Sequence, residues 1–212
     1  MKYEDVVYAR RAINFFDPEK DVSEEMLDKV ISLAAQAPSG FNLQPWNLMI
    51  LRDKAKKEKL QALAWNQPKV SEAPITLIVL ADMDGWKSGH PTVEKNWKEM
   101  IASGSMTEDK RDWFLNATQS LYRWSDAANV AFAVKNASFF SMALMYAATN
   151  YGLETHPMDG FDHEGVKKAF NIPDNFWIPV LISLGYRKPG VELHDSKWRK
   201  TVEDIKITFP EG

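Results

Sequence analysis

The sequence predicts an α+β fold, on the strength of three observations. Short apolar runs over residues 46–51, 75–81 and 177–186 have the length and composition of buried strands. One long stretch, 126–151, is dense in alanine, methionine and phenylalanine and reads as a helix apolar on most sides, hence expected to be buried, against another copy of the chain. The helical and strand patterns do not alternate one for one, which sets the chain apart from a regular βαβ dinucleotide-binding arrangement.

Taken in order, residues 3–11 read as a short helix. Ser23 is placed to cap the next, with Met26, Leu27, Val30, Ile31 and Ala34 at helical spacing. That helix must end before Pro38, because the residue preceding a proline is pushed out of the helical region. After the strand over 46–51, residues 54–63 form a helix whose lysine run reads as a solvated face, with Leu60 and Leu63 behind it. The stretches 92–102 and 107–122 carry weaker helical patterns, rich in Trp97, Met100, Met106, Trp113 and Phe114. Gly152 is positioned to end the long helix, residues 164–170 make a further short one, and a strand over 177–186 follows. Ile205-Lys206-Ile207-Thr208-Phe209 alternates apolar and polar with period two, so a last strand is expected there, beyond a polar stretch over 188–204.

No repeat, low-complexity tract or linker divides the 212 residues, so one domain over 1–212 is expected, with ample length for a core. A net charge of -3 gives no electrostatic case for nucleic acid or an anionic membrane. No apolar run approaches the roughly 20 residues of a membrane span, and no signal-peptide pattern opens the chain. The absence of cysteine excludes disulfides, iron–sulfur ligation and thiol catalysis, and a cytoplasmic enzyme is the simplest reading. His90, His156, His163 and His194 show no metal-ligand spacing. There is no Gly-Lys-Ser phosphate loop, dinucleotide glycine fingerprint or Gly-x-Ser-x-Gly elbow either. Eight tryptophans fill core and interfaces, and suit surfaces that meet flat aromatic rings.

The chemistry concentrates in Ala37-Pro38-Ser39-Gly40-Phe41-Asn42-Leu43-Gln44-Pro45-Trp46 and in Arg10-Arg11. A loop of small residues lets backbone amides approach a ligand, and paired guanidiniums suit a phosphate. Together with Arg10–Phe16, Asn66-Gln67-Pro68-Lys69, Pro157-Met158-Asp159-Gly160-Phe161 and Lys197-Trp198-Arg199, this loop resembles, in order and nearly end to end, the FMN-dependent nitroreductase family. The Ala-Pro-Ser-x-x-Asn-x-Gln-Pro-Trp run is the specific signal; the other motifs gain weight from their order.

The resemblance implies a central mixed sheet wrapped by helices, in an intertwined homodimer whose C-terminal arm crosses to the partner; the pattern over 205–209 equally allows a strand on its own sheet. It implies FMN as cofactor, with NAD(P)H and small aromatic acceptors, nitroaromatics or quinones, served in ping-pong order. Arg10 then binds the FMN phosphate, Arg11 the phosphate or ribityl chain, and Lys197 and Arg199 close on the same phosphate. Pro38, Ser39, Gly40 and Asn42 approach from the opposite subunit, so sites are shared between two chains. Asn66 and Lys69 hold the pyrimidine side of the ring, where an ammonium stabilises the reduced flavin's charge. Asn14 stands where some relatives have lysine or arginine, and brings a hydrogen bond but no charge. Pro157, Met158, Asp159 and Gly160 pass the reactive edge, with a backbone amide at Asp159 toward N5. No side chain is required as nucleophile or acid–base pair, since the cofactor carries the reaction. Trp113 and Phe114 lie in the segment expected to cap the slot.

Each motif also has a plainer reading: cations completing a helix C-terminus for Arg10 and Arg11, solvated charge for Lys197 and Arg199, a self-bonded turn for Asn42, and an ordinary turn before a helix for 157–160. At the level of function, a flavin-binding sensor or store without turnover, and sister activities such as dehalogenation or flavin breakdown, stay open.

Overall fold

The computed structural model describes residues 2–209. Helices α1 (Tyr3–Ala9) and α2 (Glu24–Ala34) precede strand β1 (Trp46–Leu51). Then come α3 (Lys54–Leu63), α4 (Lys69–Glu72), β2 (Ile75–Asp82), α5 (Pro91–Ala102), α6 (Arg111–Tyr122) and α7 (Asp126–Asn150). The chain continues through β3 (Glu154–Met158), α8 (His163–Phe170), β4 (Phe176–Trp177), β5 (Leu181–Gly185) and the single turn α9 (Val202–Ile205). Local chemistry sets the helix starts. Ser23, Asp53, Ser125 and Asp162 each accept a backbone N–H of the first turn that would otherwise lack a partner. Gly152, at φ 76°, closes α7 in the left-handed conformation that glycine adopts without strain.

The strands form one sheet in the order β1-β2-β5-β3, with β4 on the end of β2. Each of these pairs is antiparallel. Parallel pairing, expected of a mixed sheet, is confined among the described residues to a bridge between Ala12 and Thr155 beside β3. β2 is buried along its whole length, as a central strand covered on both faces should be. One face packs with α2 and α7 around Leu77, Val79, Phe140 and Leu144; the other packs with α3 and α8 around Leu60, Ile78, Met158 and Leu181.

By length and composition alone α7 would pass for a membrane span. Its packing against α1, α2, α6, β1, β2 and β3 buries Phe132, Phe140, Leu144 and Met145 within this chain, while Phe139 is exposed. Two other expectations change. The lysine face of α3 is not wholly solvated: Lys57 is buried, and its ammonium donates to the Ala73 carbonyl at 2.6 Å, fastening the end of α4. Burial lowers its pKa. The strand expected over 205–209 is absent: 202–205 is a helical turn, 206–209 is irregular, and Ile205, Ile207 and Phe209 are exposed. A period-two pattern becomes a strand only beside a free sheet edge, and none meets it in this chain.

Candidate functional site

The sequence-predicted residues gather into two groups on opposite edges of the sheet. The first lies along β3. Ala12 bridges Thr155 in parallel, and the Ile13 amide donates to the Thr155 carbonyl at 3.2 Å, so residues 10–14 run alongside β3. Arg10 and Arg11 stand at the start of that strand. The Arg11 guanidinium donates to the Ser196 hydroxyl at 2.5 Å and to the carbonyls of Tyr8 and Arg10, which brings the C-terminal tail onto it. Midway, the Lys69 ammonium donates to the Asn14 side-chain carbonyl at 3.0 Å. Lys69 opens α4 and its own carbonyl accepts from Ser183 on β5 at 2.9 Å, so the sheet fixes its height. Burial lowers the Lys69 pKa.

At the far end of β3, Asp159 is exposed and Gly160 lies bare against Trp65. A Cβ on Gly160 would fall 2.7 Å from the indole ring, and the Gln67 side chain donates to the Gly160 carbonyl at 2.9 Å. Trp65 and Asn66 are both left-handed, at φ 52° and 55°. That conformation is costly for any residue but glycine, and for tryptophan especially so. Met158, by contrast, points into the core, so only its backbone reaches the site; Pro157 is half-buried. Lys197 and Arg199 are exposed on the irregular tail, and the Arg199 guanidinium donates to the carbonyls of Lys197 and Trp198.

His156, for which the sequence showed no metal-ligand spacing, sits within this group. Its Nδ1 is 2.6 Å from the Ile13 carbonyl, so Nδ1 carries the proton. Burial is the main cause of a pKa below the ordinary histidine value; the nearby Lys69 charge adds to it, and the Ile13 bond opposes it. A histidine depressed on folding contributes stability that is present above the unfolded value of about 6.5 and lost as pH falls through the folded one. Urea unfolding at pH 7.5, 6 and 5 should therefore show wild type losing stability faster than His156→Gln on acidification. Parallel curves would overturn the assignment.

The second group is the loop entering β1. Phe41, Asn42 and Gln44 are left-handed at φ 52°, 54° and 45°, and the strain is held by hydrogen bonds from two helices and from within the loop. The Gly40 amide donates to Asn136 Oδ1 on α7 at 3.1 Å; Asn96 on α5 donates to the Phe41 carbonyl at 2.6 Å; and the Ser39 hydroxyl accepts the Gln44 amide at 2.9 Å. Asn136 is fully buried. A Cβ on Gly40 would stand 2.5 Å from the Tyr122 hydroxyl, which makes glycine a requirement there. Pro38 and Asn42 are exposed, and Asn42 and Gln44 line a cleft of about 490 Å³ with Trp46 and the first turns of α5. Phe114 is buried against Phe41 and Trp97 and so cannot cap a ligand; Trp113 is exposed.

Sequence reasoning missed Asn96, Asn136, Gln67, His156 and Ser196. Asn136 had a readable signal, as an amide on a helix otherwise apolar at that level. Among the described residues no group of three or more His, Asp or Glu side chains is placed to hold a metal.

Comparison with known proteins bears on the whole arrangement. A relative named NADH dehydrogenase from Thermus thermophilus is 31% identical over 179 residues, covering 84% of this chain and 82% of its own. The crystal structure of the Bacillus subtilis ydfN protein superposes with a TM-score of 0.89 at 29% identity, over 98% of this chain and 99% of that one. A protein of Exiguobacterium sibiricum, solved in complex with FMN, superposes with a TM-score of 0.84 at 25% identity, over 97% and 96%. The family model described as "Nitroreductase family" matches residues 7–186. With most of its length inside that match, from within α1 to just past β5, this chain belongs to the nitroreductase family.

Proposed function

We propose that this protein is an NAD(P)H-dependent FMN oxidoreductase that reduces nitroaromatic or quinone acceptors by a ping-pong mechanism. One observation carries the reading: along β3 the donors change in order, from guanidiniums at residues 10 and 11, through the Lys69 ammonium and Asn14 amide, to bare backbone at Gly160. About 17 Å of strand separates the two ends. That sequence of charge, hydrogen bond and side-chain-free backbone fits the phosphate, the ring edge and the reacting face of a flavin mononucleotide. The relative named NADH dehydrogenase and the neighbour solved with FMN support both partners.

When bound, FMN supplies hydride transfer between NAD(P)H and the acceptor. The protein's own residues do the rest. Arg10 and Arg11, with Lys197 and Arg199 drawn in by the tail, would hold the phosphate. Lys69 would stabilise negative charge at the pyrimidine end. Gly160, with no side chain of its own, lets the Trp65 ring pack directly on the backbone beside the Asp159 amide. Pro38, Ser39, Gly40 and Asn42 enter β1 at one edge of the sheet while β3 is at the other, so in this reading a second copy of the chain brings its loop to the first copy's β3 group. The exposed Trp198, Ile205, Ile207 and Phe209 give the tail an apolar face for that second copy.

An absorption spectrum of the purified protein with FMN, before and after anaerobic NADH or NADPH, tests the proposal. Bleaching that recovers on adding a quinone supports it. Flavin that stays oxidised with both donors would favour a binding protein without turnover, and no bound flavin would overturn the site. Asn14→Lys should raise the flavin midpoint potential by adding a cation beside Lys69; an unchanged potential would sink the role given to residue 14.

A further inference from the structure

Glu154 is an acidic side chain that the fold sets among the arginines of the phosphate end. It opens β3 and lies across from Gly185, whose missing side chain leaves the carboxylate no cross-strand neighbour of its own. The Ala12–Thr155 bridge draws Arg10 and Arg11 alongside it, and the Phe16–Arg187 bridge brings Arg187 to the same corner. The carboxyl feels the charge of all three arginines, yet burial outweighs them and raises its pKa. Among the described residues it makes no ion pair within 4.0 Å, so the guanidiniums are shared at a distance rather than locked. Arg11 spends its donors on Ser196 and two backbone carbonyls.

We infer that Glu154 is a built-in competitor of the flavin phosphate: an internal anion that occupies the field of Arg10, Arg11 and Arg187 and keeps FMN exchangeable. This rests on the flavin reading above and adds to it a residue that sets how tightly the cofactor is held. Two negative groups served by the same cations repel, and a half-buried carboxyl relieves the repulsion by taking a proton from solvent when the phosphate arrives. The charged and titratable groups around it are Arg10 and Arg11 from the segment after α1, Arg187 from the segment after β5, and His156, two residues along the same strand face.

The test compares FMN and riboflavin, which lacks the phosphate, by fluorescence titration of wild type and Glu154→Gln at pH 7.5. Glu154→Gln should bind FMN about tenfold more tightly and leave riboflavin unchanged. FMN affinity that stays equal or weakens overturns the inference, as does a common shift for both flavins, which would mark Glu154 as merely structural. Should the variant not fold, calorimetry of the wild type in two buffers of different ionisation enthalpy replaces it. Greater proton uptake with FMN than with riboflavin supports the competitor; equal uptake overturns it. Wild type that binds neither flavin would overturn the flavin reading as well, whereas FMN binding with no effect of Glu154→Gln overturns this inference alone.

Discussion

Gly185→Ala is expected to destabilise the protein by about 3 kcal/mol, the upper end of what overpacking a core costs. A Cβ there would lie 2.4 Å from Pro74 Cδ and 2.6 Å from Cγ, with Phe16 Cδ1 at 3.2 Å. A proline ring is closed onto its backbone and cannot rotate away, so β5 or the α4–β2 connection has to move. Either shift disturbs Lys69, whose carbonyl is fastened to Ser183 two residues earlier on β5. Urea denaturation gives the loss of stability, and flavin titration should show weakened binding alongside it. Pro74→Ala in the same chain should recover part of both. A Gly185→Ala variant as stable as wild type would show that the packing around Pro74 yields easily.

Asn136→Leu should cost about 2 kcal/mol and loosen the loop that carries Ser39 and Asn42. The leucine fills the same volume, but the Gly40 amide loses its acceptor, and an unpaired buried donor costs roughly 1–3 kcal/mol. The larger consequence is conformational. Three left-handed residues, Phe41, Asn42 and Gln44, persist because hydrogen bonds from α5 and α7 hold them. With one anchor gone the loop relaxes toward ordinary backbone angles. Flavin affinity should then fall more than global stability alone explains, which titration well below the unfolding midpoint would reveal. Unchanged affinity would mean that Asn96 and Ser39 suffice.

The longer helices and three of the strands were legible because their signals are local. Ser23, the spacing of Leu27, Val30 and Ala34, and the apolar run at 75–81 lie within a few residues of the structure they specify. β3 was not legible, since Glu-Thr-His-Pro-Met contains a proline and three polar residues. It is a strand because β5 offers it an edge, and Pro157 is tolerated near the sheet margin. Pro179 likewise falls in the gap that splits the expected strand over 177–186 into β4 and β5. At the site, the motif residues were visible as types, but their supports were not. Asn96, Gln67 and Ser196 are ordinary polar residues in sequence and acquire a partner only through contacts between distant segments.

The order of the strands also sets a timetable. β5 is the last long strand to be made, yet it lies between β2 and β3. Until residues 181–185 leave the ribosome, β2 has only β1 and the two-residue β4 beside it, and the strand carrying Glu154 to Met158 has no antiparallel neighbour. α7 fares better, because α1, α2, β1 and β2 precede it in synthesis and can cover its apolar surface as it emerges. Closing the sheet thus waits on a contact between distant parts of the chain, a slow step for any β architecture. The corner where Arg10, Arg11, Glu154 and Arg187 meet comes together only at that final insertion. A nascent or truncated chain can therefore hold most of its helices and half of its sheet while having no cofactor cradle at all.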